Sequence, residues 1–122
     1  MNALLWAGQI FLAVAFLYSG IYKSIYSERE LIARGQTGVV GLPLALIRFI
    51  GISEILGCIG IIAPWLTGIA RILTPLTAVC FAIVMCLAAP IHYRLKEYRN
   101  VSINVSIFFI SLFVALGRLL YL

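Results

Sequence analysis

Residues 43–63, PLALIRFIGISEILGCIGIIA, decide the fold of this chain. The run holds 21 residues with two charged side chains, Arg48 and Glu54. At a rise of about 1.5 Å per residue it is long enough to cross the roughly 30 Å hydrocarbon core of a bilayer. Pro43 suits a first helical turn, and Pro64 follows the run directly. We therefore expect a transmembrane helix over 43–63 that ends before Pro64.

Three further apolar runs have the same character. We expect transmembrane helices over about 3–23, 68–90 and 101–121, with a kink near Pro75. A short interfacial helix over 28–34 is expected in the first polar loop. The chain is thus predicted to be one all-α membrane domain, 1–122, folded as an up-down, antiparallel bundle of four transmembrane helices.

The links between these helices constrain their order unequally. The turn after Pro64 is short, so the second and third spans should form an antiparallel hairpin, with small surfaces at Gly51, Gly57 and Gly60 for close helix packing. The loop between the first and second spans is longer. It leaves open whether those two helices are neighbours or lie across the bundle.

Composition excludes a soluble domain. Hydrophobic residues make up 64% of the chain, charged residues 11%, and the mean hydropathy is +1.14. The net charge is +5, but a nucleic-acid-binding protein clusters its bases on a wet face beside exposed aromatic residues. Here the bases lie at helix ends, which suits anionic lipid headgroups. We expect the lipid bilayer as partner and no nucleic acid.

The distribution of these bases predicts an orientation. Two bases, Arg71 and Arg118, lie on one side of the membrane, whereas six lie on the other: Lys23, Arg29, Arg34, Arg94, Lys96 and Arg99. Basic loops favour the cytoplasm. Loops 1 and 3 are therefore predicted to be cytoplasmic and both termini to lie outside.

Glu54 is the most informative side chain. It lies about 15 Å into its helix, near the middle of the bilayer. A carboxylate at such a depth costs about 2.5–3.5 kcal/mol on insertion scales, so it should face the bundle interior and be protonated, paired or hydrogen-bonded. Two interpretations stay open: a polar anchor or proton carrier for a ligand, and a residue that only ties helices together. Cys58, four residues on, shares its helix face.

The other candidates lie towards the cytoplasmic side. Arg48 is expected to extend its guanidinium to lipid headgroups or to a neighbouring helix end. Lys23 can serve as an interfacial anchor; a direct pair with Glu54 looks strained, because the lysine stem spans only about 6 Å, unless the helices are offset or water enters. His92 is either an interfacial histidine or a proton-exchange group.

Smaller polar residues complete the candidate site. Ser19 permits close packing at the end of the first span, and Asn100 and Asn104 are expected to cap and join helices or to line the same cavity. Cys58, Cys80 and Cys86 form no metal-binding spacing and no CxxC pair. No metal site is predicted.

Several motifs resemble those of the DoxX-like family. They are FLYSGIYK at 16–23, EILGCIGIIAP at 54–64, Arg71, and AAPIH at 88–92. Family positions match Ser19, Gly20, Lys23, Glu54, Gly57 and His92, although the family offers no agreed catalytic assignment for them. The resemblance implies a four-helix membrane fold with several known roles, including thiosulfate:quinone oxidoreduction, oxidative-stress complexes, assembly chaperones and cargo receptors.

The resulting hypothesis is a bacterial inner-membrane protein. Its bundle would hold a hydrophobic ligand, a quinone or a lipid, near Glu54, and it would serve a membrane redox or stress-response partner, with a homo-oligomer as a further option. No catalytic motif is visible, so the chain would at most be an accessory subunit of an oxidoreductase. The alternatives are a non-catalytic assembly or chaperone protein and a small proton-coupled transporter.

Overall fold

A computed structural model describes all residues, 1–122, and it contains helices only. The elements are α1 (Asn2–Ile25), α2 (Glu28–Ala33), a 3₁₀ turn (Thr37–Val39), α3 (Leu44–Thr67), α4 (Leu73–Arg94) and α5 (Tyr98–Leu120). The helices α1, α3, α4 and α5 are long and apolar enough to cross a membrane. The predicted all-α bundle of four transmembrane helices is confirmed.

Helix α3 ends later than expected, because it continues past its proline. Helix α3 continues through Pro64 to Thr67 and stops where Gly68 adopts a left-handed conformation with φ 77°. Proline cannot donate to the carbonyl four residues earlier, that of Gly60. The Thr74 hydroxyl of α4 donates to that carbonyl at 3.2 Å. A side chain of the neighbouring helix thus satisfies the group that the proline leaves free, and α3 is not interrupted.

The limits of α4 and α5 differ from prediction for related reasons. Helix α4 begins at Leu73, so Pro75 lies in its first turn, where the backbone N–H has no helical partner and the physical cause of a kink is absent. Pro90 lies inside α4, which runs on to Arg94. The loop to α5 is correspondingly short, and α5 starts at Tyr98 rather than near 101.

The short interfacial helix α2 begins where the sequence contains a capping box. The Ser27 hydroxyl accepts from the Glu30 backbone N–H at 3.3 Å, and the Glu30 carboxylate accepts from the Ser27 N–H at 3.4 Å. Leu31 of α2 packs with Val39 and Ile47 in a small apolar cluster. This cluster holds α2 and the 3₁₀ turn against the end of α3.

The bundle consists of two closely packed pairs, α1 with α3 and α4 with α5. Helices α3 and α4, and α1 and α5, touch less extensively, so the first two spans are neighbours. All four helices contribute to one core cluster: Leu12, Phe16, Cys58, Ile61, Ala78, Phe81, Met85, Val114 and Ala115. The predicted α3–α4 hairpin is present, but its helices pack less closely than either pair, and this leaves space between α3 and α4.

The glycines of α3 serve two different neighbours. A Cβ at Gly51 would lie 2.9 Å from the Gly20 carbonyl oxygen of α1, whereas Gly57 makes room for the Phe81 ring of α4 and Gly60 for Thr77. Of these three glycines, only Gly51 thus lies where two backbones meet. The expectation that all three glycines face the hairpin is wrong for Gly51.

At the end of the bundle that holds both chain termini, Arg118 is buried rather than exposed. Its Nε donates to Gln9 Oε1 at 2.6 Å and its Nη1 to Asn2 Oδ1 at 2.8 Å. The guanidinium lies 4.5 Å from the ring centre of Trp65 and 5.4 Å from that of Trp6. Arg118 therefore joins the two helix pairs and is not the surface base that its position near the chain end suggested.

Candidate functional site

Lys23 and Glu54 form a buried ion pair between α1 and α3. Lys23 Nζ lies 2.7 Å from Glu54 Oε1, and the two side chains are 11% and 2% exposed. The pair forms because the two helices are offset, which is one of the two conditions expected to permit it. Lys23 lies level with Gly51, about two turns inside α3, so the stem has only a short distance to cover.

Two glycines create this close approach. A Cβ at Gly20 would lie 2.8 Å from the Gly51 carbonyl oxygen, and a Cβ at Gly51 would lie 2.8 Å from Lys23 Cβ. Any larger residue at either position would push the backbones apart. Small residues in membrane helices permit such contacts. The position of the ion pair therefore depends on Gly20 and Gly51.

Arg48 fixes the end of α1. Its Nη1 donates to the carbonyl oxygens of Lys23 at 2.8 Å and Tyr26 at 2.5 Å, which have no helical donor at a helix C-terminus. The guanidinium was expected to reach either lipid headgroups or a neighbouring helix end, and in the structure it binds the end of α1. A positive charge there also complements the helix dipole. Arg48 lies outside both cavities described below and supports the backbone that carries Lys23.

A large apolar groove of about 770 Å³ lies between α3 and α4. Exposed hydrophobic side chains form its rim, among them Phe49, Leu56, Leu76 and Leu87. Glu54 contributes to its lining, and Glu54 Oε2 is buried without a hydrogen-bond donor in the protein. A largely apolar groove is thus bordered by a carboxylate that has one oxygen without a hydrogen bond from the protein.

A second cavity of about 440 Å³ lies between α1, α4 and α5, beneath residues 35–38. It is lined by the remaining polar candidates Ser19, His92, Asn100 and Asn104, and Lys23 borders this cavity as well as the groove. The stacked rings of Phe16 and Phe81, with centres 3.8 Å apart, lie between the two spaces. The predicted site therefore consists of two cavities rather than one.

The structure places Cys58 in the core, outside both cavities. Its Sγ lies 3.2 Å from the carbonyl oxygens of Ala13 and Glu54 and donates between α1 and its own helix. The three cysteines are unpaired, and Cys80, which lines the groove, is exposed. Cys58 thus shares a helix face with Glu54 but packs between helices instead of facing a ligand space.

His92 belongs to a polar cluster at the loop end of the second cavity. Its Nδ1 lies 2.9 Å from Glu97 Oε1, and the Thr37 hydroxyl donates to the same oxygen at 2.6 Å. Because an ionised carboxylate only accepts, His92 Nδ1 is the donor. These hydrogen bonds, that from His92 foremost, hold the pKa of the Glu97 carboxyl below its usual value. The cluster ties the 3₁₀ turn to the α4–α5 hairpin.

The hydrogen bonds from Thr37 and His92 to Glu97 should weaken in acid. A carboxyl group whose pKa is lower in the folded state stabilises that state above its unfolded pKa of about 4.3, and loses the contribution as pH falls through the folded value. We expect backbone amides of residues 35–41 to exchange faster with deuterium below about pH 4, after correction for intrinsic exchange. In Glu97→Gln the exchange should be fast throughout, and an unchanged pH dependence in this variant would contradict the assignment.

Sequence reasoning missed Thr37, Glu97, Gln9 and Arg118. Glu97 and Thr37 lie in loops, where a single polar residue carries no periodic signal. Gln9 is a polar residue within an apolar span and is fully buried. That signal was available, since polar groups in membrane helices usually face the bundle interior.

Comparison with known proteins is consistent with this architecture. The model of the DoxX-like family matches residues 7–114. This span includes the polar residues of both cavities. Comparison with curated proteins and with solved structures finds no match. Because this match covers nearly the whole chain, the chain belongs to the DoxX-like family.

Proposed function

We propose that this protein binds a hydrophobic ligand, a quinone or a membrane lipid, in the groove between α3 and α4. One observation carries the proposal: Glu54 Oε2 is buried at an apolar groove and lacks a donor. An unsatisfied buried polar atom costs about 1–3 kcal/mol, and more when charged. A ligand that supplies the missing hydrogen bond recovers this free energy.

The size and surroundings of the groove favour such a ligand. Its volume of about 770 Å³ lies within the range of roughly 300–1,000 Å³ typical of small-molecule sites. The exposed rim formed by Phe49, Leu56 and Leu76 faces outward from the bundle, so a membrane-dissolved molecule can enter sideways from lipid. Its apolar part would contact these side chains while its polar end reaches Glu54.

The ion pair determines which polar end fits best. Lys23 occupies Oε1 of Glu54, and the remaining oxygen accepts but cannot donate while the group is ionised. The groove therefore favours a hydroxyl group, as in a lipid alcohol or in the quinol form of a quinone. A ketone oxygen would leave Glu54 Oε2 unsatisfied.

We place this activity in the inner membrane of a bacterium, with loops 1 and 3 in the cytoplasm, in support of a redox or stress-response partner. The charge distribution supports this orientation, because burial of Arg118 leaves Arg71 as the outer interfacial base. The chain carries no flavin motif or thiol pair. Any electron transfer would therefore involve the ligand or the partner.

Native mass spectrometry of protein purified in mild detergent, followed by lipid and quinone extraction, tests the proposal. Wild type should retain a ligand. In Glu54→Gln, the amide oxygen can accept from Lys23, which turns the NH₂ group towards the position of Oε2 and replaces an acceptor with a donor. We expect retention to fall by about tenfold, the equivalent of one hydrogen bond to a charged group.

Ser53→Ala is the matched control, because Ser53 is a second polar residue of the groove; its retention should stay at the wild-type level. Competition with 1-hexadecanol should displace the ligand better than competition with 2-hexadecanone, and Glu54→Gln should reduce that preference.

If wild type and variant are both free of ligand, the assembly or chaperone hypothesis is favoured. Proton-gradient-dependent efflux from proteoliposomes would favour the transporter.

A further inference from the structure

The cavity between α1, α4 and α5 has the features of a separate binding site. Three buried polar residues border it, Lys23, His92 and Asn104, with whole-residue exposures of 9%, 8% and 8%. Buried polar groups are normally hydrogen-bonded within the protein. Lys23 and His92 follow this rule through Glu54 and Glu97, whereas Asn104, at the same space of about 440 Å³, does not.

Asn104 shows what kind of partner is missing. Its Nδ2 is buried and has no acceptor in the protein, although the residue lies in the second turn of α5, beside the cavity. The ammonium of Lys23 also has N–H groups in excess of its bond to Glu54. Two kinds of donor at this cavity, the Asn104 amide N–H and the remaining N–H groups of Lys23, are therefore available to an acceptor oxygen of a ligand.

The charges around the cavity favour a neutral acceptor over an anion. Lys23 is already neutralised by Glu54 at 2.7 Å, and His92 faces the carboxylate of Glu97 at 2.9 Å. A bound anion would find no free positive charge and would meet the field of two carboxylates. A carbonyl oxygen accepts hydrogen bonds without bringing a charge into a low-dielectric site.

Apolar side chains complete the lining away from the donors. Phe16, Met85, Ile103 and Ile107 border the same space, and a methionine side chain adapts well to differing ligand shapes. The molecule that fits is compact and apolar apart from its acceptor end. A long-chain lipid suits this cavity less well than it suits the groove.

We propose that the α1–α4–α5 cavity is a second site, which binds a neutral carbonyl compound with a compact apolar body through Asn104 and Lys23. The site goes beyond the proposed function, because it requires no ligand in the groove. Residues 35–38 border this site at the loop end of the bundle.

Photolabelling with benzophenone, a neutral aromatic ketone, tests this site in full-length protein in nanodiscs. The excited ketone takes a hydrogen atom from a nearby C–H bond, and the two carbon radicals join to give a tertiary alcohol, so mass spectrometry of the labelled peptides identifies the residues in contact. We expect label on Met85, Ile103 and Ile107. Asn104→Leu should reduce it by about fivefold to tenfold, the effect of one lost hydrogen bond.

Ser111→Ala is the matched control, because Ser111 is buried on the same helix, donates to the Ile107 carbonyl and does not border the cavity. Its labelling should equal that of wild type, and labelling of the groove at Leu76 should be the same in all three proteins. Label confined to the groove and the lipid-facing surface would overturn the proposal. So would equal labelling of Met85 in wild type and Asn104→Leu.

A second measurement needs wild type alone and therefore does not depend on the folding of a variant. The infrared carbonyl band of ¹³C-labelled benzophenone should shift to lower frequency with the protein than in protein-free nanodiscs, because hydrogen bonds from Asn104 and Lys23 weaken the C=O bond. A band unchanged from the protein-free sample would overturn the site. Loss of the groove ligand in Glu54→Gln without loss of Met85 labelling would distinguish the two sites.

Discussion

Replacing Lys23 with methionine will destabilise the protein by roughly 3–5 kcal/mol, the usual cost of removing one partner from a buried ion pair. Methionine retains most of the length of the lysine stem, so packing against Gly51 is largely preserved. What remains is the carboxylate of Glu54, 2% exposed, with neither of its oxygens paired. The free energy of unfolding is measured in bicelles by steric trapping or by titration with a denaturing detergent.

The double variant Lys23→Met, Glu54→Met decides whether charge is the cause. It removes both charges and should regain most of the lost stability, to within about 1 kcal/mol of wild type, because a buried pair is often replaced by apolar residues at little net cost. Arg29→Met, an exposed base on α2, should change stability by less than about 0.5 kcal/mol. If single and double variants were equally unstable, the Lys23 stem rather than its charge would matter.

Gly51→Ala should cost about 3 kcal/mol, at the upper end for overpacking. The added Cβ would lie 2.8 Å from Lys23 Cβ and 2.9 Å from the Gly20 carbonyl oxygen. These atoms belong to the α1 backbone or adjoin it, and they cannot move aside unless the helices separate. Separation would also lengthen the Lys23–Glu54 bond, so ligand retention should fall together with stability in the same unfolding and mass-spectrometry measurements.

Gly8→Ala provides the comparison for this substitution. A Cβ at Gly8 would lie 2.9 Å from a methyl group of Val114, which can rotate or shift, so the cost should be about 1 kcal/mol. Both changes add one methyl group at a helix contact. Equal effects of the two variants would show that backbone proximity at Gly51 has no special role.

Hydropathy and proline positions predicted the number of spans and their approximate centres, because the bilayer imposes a minimum helix length on the sequence. They did not predict helix ends. Pro64 looked like a stop signal, and it is not one, because Thr74 of another helix satisfies the carbonyl of Gly60. Compensation of this kind depends on a contact in space, which a pattern along one segment does not contain.

Sequence reasoning named polar residues that line the two cavities, but not their arrangement, and it also named Cys58 and Arg48, which lie outside both. The cost of burying a carboxylate identified Glu54, yet depth counted along ideal parallel helices argued against Lys23 as its partner. The offset between α1 and α3 follows from Gly20 facing Gly51, and a sequence lists many glycines without indicating which two meet. For the same reason, Asn104 and Glu54 were expected around one cavity and border two.

Lys23 lies between these two cavities, and it has a single ammonium group. A molecule in the α1–α4–α5 cavity that draws this ammonium group away from Glu54 changes the electrostatic potential at a molecule in the groove. Thermodynamic linkage makes the influence reciprocal, so each ligand changes the affinity of the other by the same factor. If the groove and the α1–α4–α5 cavity both bind ligands as proposed, Lys23 couples the two sites, with positive or negative cooperativity.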